Sequence, residues 1–177
     1  MSERHKVFLS YYHKDDNIWR ERFEEIFKNI FINKSVQPGD IDTEDSALYI
    51  KRLIQEEYLS DTSVLVVLIG PKTWGRKHVD WEISAALDAR VGDHVAGIMG
   101  LILPTHDNYY DIKYDPNLVP PRLVDNQESG YAKIYNWTED VQLMQQYVQT
   151  AFEDRTRKEK YHTNKRLQMK RNRSGSF

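Results

Sequence analysis

The stretch "SVLVVLIG" at residues 63–70 is apolar almost without a break and rich in β-branched residues. A strand with one wet face alternates apolar and polar side chains. One that does not alternate is buried on both faces, as in a parallel sheet with helices above and below. "HVAGIMGLILP" at residues 94–104 repeats the pattern. Two such strands leave few architectures open, because each must be covered on both sides and parallel neighbours need crossover connections.

The rest of the chain supplies the covers. "KVFLSYY" (residues 6–12) reads as a central strand. After the turn "HKDDN", where Asp15 or Asp16 can cap, Ile18, Trp19, Phe23, Ile26, Phe27 and Ile30 recur at three- and four-residue steps, which predicts a helix over 18–32. "NKSVQPGDIDTEDS" is a loop with room for at most one short strand. A second helix is expected over 47–59, capped by Asp45 or Ser46, with Leu48, Leu53, Ile54 and Leu59 in the core. A third is expected over 79–90. Residues 105–130 are polar and proline-bearing and read as a long loop. "YAKIYNW" then gives a strand, and Thr138–Asp140 starts a last helix running through Val141, Met144, Val148 and Phe152. This alternating order predicts an α/β three-layer sandwich with a central parallel β-sheet flanked by helices.

At 177 residues the chain has length for one domain, expected over 1–154, with a basic C-terminal tail over 155–177. The tail holds nine of the 25 Lys and Arg residues and one of the 27 acids, so the body carries about −10. An acidic body argues against nucleic acid as the main ligand. The tail itself is expected to be a solvated or disordered end or a helical extension, or else to meet something anionic. With no cysteine there is no disulfide, no thiolate zinc site and no cysteine nucleophile. The apolar runs are too short to cross a bilayer and the N-terminus does not have the layout of a signal peptide. A soluble, cytoplasmic protein without membrane contact is expected.

In a parallel sheet, ligands bind beyond the carboxyl ends of the strands. Residues 10–16, 70–82 and 104 onward lie in those loops. "GPKTWGRK" fails as a phosphate loop, because Arg76 follows its second glycine where Lys and a hydroxyl residue are needed. "GIMG" inside the apolar strand reads as close backbone packing. His78 and Glu82 are four apart, but no third ligand stands at helical spacing, so no metal site is expected. No G-x-S-x-G elbow is present.

What stands out is Glu82 in "HVDWEISAAL", a carboxylate set between Trp81 and Ile83 at a helix start. Two readings fit it. A first-turn acid is attracted to the helix dipole, for about 0.3–1 kcal/mol. Equally, an anion fixed between the apolar walls of Trp81 and Trp74 can stabilise a ribosyl oxocarbenium ion, the cationic transition state of glycosidic cleavage. A positively charged nicotinamide leaving group would need no general acid.

"VFLSYYHKDD", "IKRLIQEEYLSDTSVLVVLIGPKTW" and "HVDWEISAAL", in that order, resemble TIR domains, and in particular the bacterial TIR-like proteins of Thoeris antiphage defence, over residues 6–154. The resemblance implies a flavodoxin-like fold. It also implies cleavage of NAD, as substrate and not cofactor, to a cyclic ADP-ribose isomer that signals to a separate effector protein. It makes Glu82 the catalytic carboxylate and puts Ser10 and Tyr11 beside the nucleotide pocket, with Asp45 in the loop before the second helix. His78 stands where many members carry Trp, and with Trp81 would help shape the substrate pocket. Relatives assemble head to tail, which implies a homo-oligomer on activation. An enzyme that consumed NAD continuously would drain the cell, so a nearly silent resting state is expected. The long 105–130 loop follows the strand end at Pro104, on the same edge as Glu82, and is expected to be able to cover the site. Some TIR domains are purely non-catalytic interaction modules, and a nucleoside deoxyribosyltransferase-like enzyme would also set a carboxylate near a ribose. Both alternatives stand at this point.

Overall fold

The computed structural model describes residues 4–36, 40, 41, 43–55, 58–88 and 95–174, without the side chains of 54 and 55. The expectations for Ile54 and for the third helix beyond residue 88 lie outside the described residues. The elements are β1 (His5–Ser10), α1 (His13–Phe27), β2 (Phe31–Asn33), α2 (Ser46–Gln55), β3 (Val64–Ile69), α3 (Lys77–Ala86), β4 (Gly97–Ile102), α4 (Pro121–Glu128), β5 (Lys133–Asn136) and α5 (Val141–Arg157).

Among the described residues the strands form one five-stranded sheet in the order β2-β1-β3-β4-β5, and every pairing is parallel. All six residues of β3 and all six of β4 are buried, as their unbroken apolar sequences require. Alternate side chains feed two cores. Val64, Val66, Leu68, Met99 and Leu101 pack toward α1 and α5, meeting Phe23, Phe27, Met144 and Val148. Leu65, Val67, Ile69, Ile98 and Ile102 face α2, α3 and α4, meeting Leu53, Ile83 and Leu123. Each fully buried Leu, Ile or Val contributes about 1.5–3 kcal/mol, so the sheet interior is the main source of stability. The glycines of "GIMG" serve approach: a Cβ at Gly97 would lie 2.2 Å from the Ala151 carbonyl of α5, and one at Gly100 would lie 2.9 Å from Leu123.

Several boundaries depart from the sequence reading. The helix expected over 18–32 begins at His13, without a side-chain cap from Asp15 or Asp16, and ends at Phe27. Phe31 and Ile32 continue the apolar spacing but belong to β2, paired with His5 and Lys6. Leu48, expected in the core, is 46% exposed, and Ile18 of the apolar spacing is 67% exposed. Asp45 does cap α2, accepting from the Leu48 amide at 2.8 Å, and Asp140 caps α5 through the Leu143 amide at 3.0 Å. The 105–130 segment is not one loop, because it contains α4, which starts on Pro121 and buries Leu123 and Val124.

The tail also differs from a solvated end. α5 runs to Arg157, past the boundary expected at 154, a 3-10 turn follows at Glu159–Tyr161, and the chain then lies down over α4 and α3. Met169 is buried; its carbonyl accepts from Trp81 Nε1 at 2.7 Å and its amide donates to Asp80 Oδ2 at 2.8 Å. No helix among the described residues is long and apolar enough to cross a membrane.

Candidate active site

In the order 2-1-3-4-5 the chain leaves β1 toward one edge of the sheet and β3 toward the other. The loops part between these two strands and open a crevice at their carboxyl ends. Ser10 is the last residue of β1, and Tyr11 and Tyr12 carry the chain into α1. After β3, Gly70–Arg76 turns the chain into α3, whose first two turns deliver His78 and Glu82 to the same edge.

Glu82 is buried to 1% exposure. Its Oε1 accepts a hydrogen bond from the Tyr49 hydroxyl at 2.7 Å, and Tyr49 is itself held by the buried stripe of α2. Among the described residues Oε2 has no hydrogen-bond partner, and neither has the Ser10 hydroxyl, which is fully buried. Ser10 and Tyr49 both favour the ionised carboxylate, but only Tyr49 closes a complete hydrogen bond. Burial dominates and pushes the Glu82 carboxyl up to about 7. A buried acid with one bare oxygen is costly in a folded core, and such groups cluster at functional sites.

A cavity of about 150 Å³ is walled by Tyr11, Tyr12, His13, Tyr49, Arg76 and His78; Glu82 does not line it and meets its wall through the Tyr49 hydroxyl. The Arg76 guanidinium stacks over the Tyr12 ring at 4.8 Å. Burial, with His78 and Arg20 nearby, lowers His13 to about 4, so it is a neutral imidazole at pH 7. Tyr11 is raised to about 12, chiefly by burial, and its hydroxyl donates to Asn17 Oδ1 at 3.3 Å.

Of the residues singled out from sequence, Glu82, Ser10, Tyr11 and His78 gather at this edge. His78 sits between the rings of Tyr49 (4.7 Å) and Trp81 (4.9 Å), with its Nε2 bonded to the Thr43 carbonyl at 3.1 Å. Two expectations are corrected. Asp45 is an exposed helix cap and does not line the cavity. Trp81 offers no open stacking face, because its buried ring is taken by Tyr49, His78 and the Lys77 ammonium. Nor does any residue of 105–130 line this cavity. Sequence reasoning missed Tyr49, whose only signal is a polar-tipped aromatic sharing the buried face of α2 with Leu53. Arg76 lies in the stretch rejected as a phosphate loop, and His13 in one read as a turn.

A wider groove, about 910 Å³, lies on the other layer between α1 and the β5–α5 turn, rimmed by the exposed Arg22–Glu139 pair. No buried ionisable group lines it among the described residues, whereas the smaller cavity is walled by the buried Tyr11 and by Tyr49, which bonds Glu82, so the chemistry favours the smaller cavity.

With this geometry, a profile of the family described as Thoeris protein ThsB, TIR-like domain, matches residues 8–107. The match runs from β1 through β4 and takes in every residue of the Glu82 cluster. The chain belongs to this TIR-like family. That places it among the TIR-family proteins of Thoeris antiphage defence. No curated protein matches the chain. Within this TIR-like domain the family segment stops at 107, so α4, β5, α5 and the docked tail lie beyond it.

Proposed function

We propose that this TIR-like protein cleaves NAD at the bond between ribose and nicotinamide and releases a cyclic ADP-ribose isomer that signals to a separate effector. The observation that carries the reading is Glu82, a buried carboxylate with one oxygen held by Tyr49 and the other unpartnered, at the carboxyl edge between β1 and β3.

Nicotinamide leaves with the electron pair of the C–N bond and so becomes neutral, while positive charge develops on the ribosyl carbon and its ring oxygen. A fixed anion in a water-poor site stabilises that charge far better than water does. A nucleophile on the same molecule then closes the ring, and any proton it carries is released. Glu82 sits near 7 without a ligand; an arriving nicotinamidium cation favours its ionised form, so substrate brings its own counter-ion into being. Tyr49 holds the carboxylate, Ser10 stands at the strand end beside it, and Tyr11 and His78 shape the cavity. Activation by assembly into a homo-oligomer belongs to the same proposal.

A non-catalytic interaction module is the rival, and one observation favours it: about 150 Å³ is below the 300–1,000 Å³ usual for ligand pockets. Incubating the purified protein with NAD, alone and with lysate of infected cells, separates the two. Nicotinamide release that disappears in Glu82→Gln is expected. Unchanged NAD under every activating condition would leave the interaction module.

A further inference from the structure

The segment after α5 is held by two unlike means. Residues 163–169 are anchored. Thr163 exchanges two hydrogen bonds with the buried Asn126 side chain, at 2.9 Å each. Arg122 donates to Asn164 Oδ1 and to the Arg166 carbonyl, both at 2.8 Å, and Met169 is buried against α3. Residues 170–174 are different. All five are exposed and none is apolar. Three hydrogen bonds hold them: the Lys77 amide to Asn172 Oδ1 (3.0 Å), the Arg173 amide to the Gly75 carbonyl (2.8 Å), and Arg76 Nη2 to the Arg173 carbonyl (2.6 Å).

These bonds lie at the cavity whose wall includes Tyr49, the hydrogen-bond partner of Glu82. Asn172 forms part of its wall, together with Arg76 and His78. With the segment in place the space is too small for a dinucleotide, as the volume above requires. Two of the three bonds use donors, the Lys77 amide and the Arg76 guanidinium, that suit the oxygens of a diphosphate at least as well as an amide oxygen and a carbonyl. The buried Arg76 Nε also has no partner among the described residues. Gly75 fits the same picture. A Cβ there would lie 2.3 Å from the Arg173 carbonyl oxygen, so the crossing is possible only over a glycine.

Resting on the NAD reading, we infer that residues 170–174 are a strap that closes the cavity walled by Tyr49, Arg76 and His78 and is displaced when the diphosphate of a dinucleotide takes over the donors on Arg76 and the Lys77 amide. The anchor at Met169 keeps the released strap tethered to α3, so closure is reversible and intramolecular.

Three changes lift the strap by different means: ending the chain after Met169, Asn172→Ala, and Gly75→Ala. ADP-ribose, which carries the diphosphate, should bind the shortened chain about tenfold more tightly than the full chain, since closure lowers the fraction competent to bind. The two substitutions should fall between, and any one variant that folds suffices for the comparison. In the full chain, saturating ADP-ribose should speed tryptic cleavage after Arg171. Inorganic pyrophosphate serves as a parallel arm: release by pyrophosphate assigns the competition to the diphosphate oxygens, and release by ADP-ribose alone assigns it to the diphosphate as presented by the nucleotide. Equal affinities across the chains, no binding to any of them, or a tail whose cleavage neither compound changes would overturn the strap. The two ideas fail separately. Equal ADP-ribose affinities alongside NAD cleavage that needs Glu82 would remove the strap and keep the enzyme. Tighter binding to the lifted chains, none of which cleaves NAD, would keep the strap and remove the enzyme.

Discussion

Helix α3 buries two carboxylates two residues apart and treats them differently. Asp80 is saturated: Arg122 reaches it through Nε at 2.8 Å and Nη2 at 3.3 Å, and the Met169 amide donates at 2.8 Å. Glu82 receives one hydroxyl and keeps one oxygen bare. The burial is the same, at 2% and 1% exposure. A buried charge that is fully paired fixes structure, whereas one left partly unpaired is poised to meet something else. On this comparison Asp80 belongs to the tail's foundation, and Glu82 is the carboxylate that the proposed chemistry requires.

The strongest way to break the comparison is Glu82→Gln. The amide keeps the shape and removes the charge, so NAD cleavage should fall by about 10²–10³ or more, the scale of losing one electrostatic partner of the transition state. Thermal stability at pH 8 should stay the same or rise, because a penalised buried anion has been removed. Retained cleavage would end the assignment, and a collapse in stability would make Glu82 a second structural carboxylate.

Asp80→Ala should do the reverse. It strands the Arg122 guanidinium, 1% exposed, inside the fold, and breaking one side of a buried pair costs about 3–5 kcal/mol. Chemical denaturation should show a loss on that scale, together with faster proteolysis of the tail. A drop below about 1 kcal/mol, in the range of an exposed pair, would show that the network contributes little.

Tyr49→Phe probes the one bond that Glu82 does make. Both carboxylate oxygens would then be unpartnered, which drives the carboxyl further above 7 and lowers the ionised fraction at neutral pH. Cleavage at pH 7 should drop by about tenfold, a net hydrogen bond's worth, with the rate recovering as pH is raised. An unchanged pH midpoint would remove Tyr49 as the positioning residue.

How much of this contrast the sequence displays depends on what holds each part. The sheet interior is legible because apolar burial writes itself into composition: β3 and β4 are nearly unbroken hydrophobic runs. Glu82 stands out as a charge in an otherwise apolar helix. β2 is hidden because Ile30, Phe31 and Ile32 extend the spacing of α1 although the chain has already turned. α4 is hidden because its eight residues begin on the second of two prolines and supply few apolar positions. The tail is least legible of all. Its anchor works through backbone groups of Met169 and Arg166 and through the amides of Asn126 and Asn164, none of which any hydrophobic period encodes. Tyr49 is a member of the site only through a contact across 33 residues.

The smallest predicted effect is a slope, and it separates the two carboxylates without any assay of activity. Glu82 holds its proton up to about 7 in the folded protein and releases it near the ordinary 4.5 when unfolded. Between those values the unfolded chain has lost a proton that the folded chain keeps. Stability from this group is therefore full below about 4.5, falls as pH rises, and levels off above about 7. Other buried groups contribute too: Asp16, raised to about 6 chiefly by burial, acts in the same sense, and His13, lowered to about 4, acts in the opposite one. The difference between the wild type and Glu82→Gln cancels both. Over pH 5 to 7 the Gln variant should gain on the wild type by about 1.4 kcal/mol per pH unit at most. Denaturant midpoints measured for the pair across that window supply the test. Parallel curves would mean that burial does not strain Glu82 in the resting fold, and the distinction drawn from its bare oxygen would fall with them.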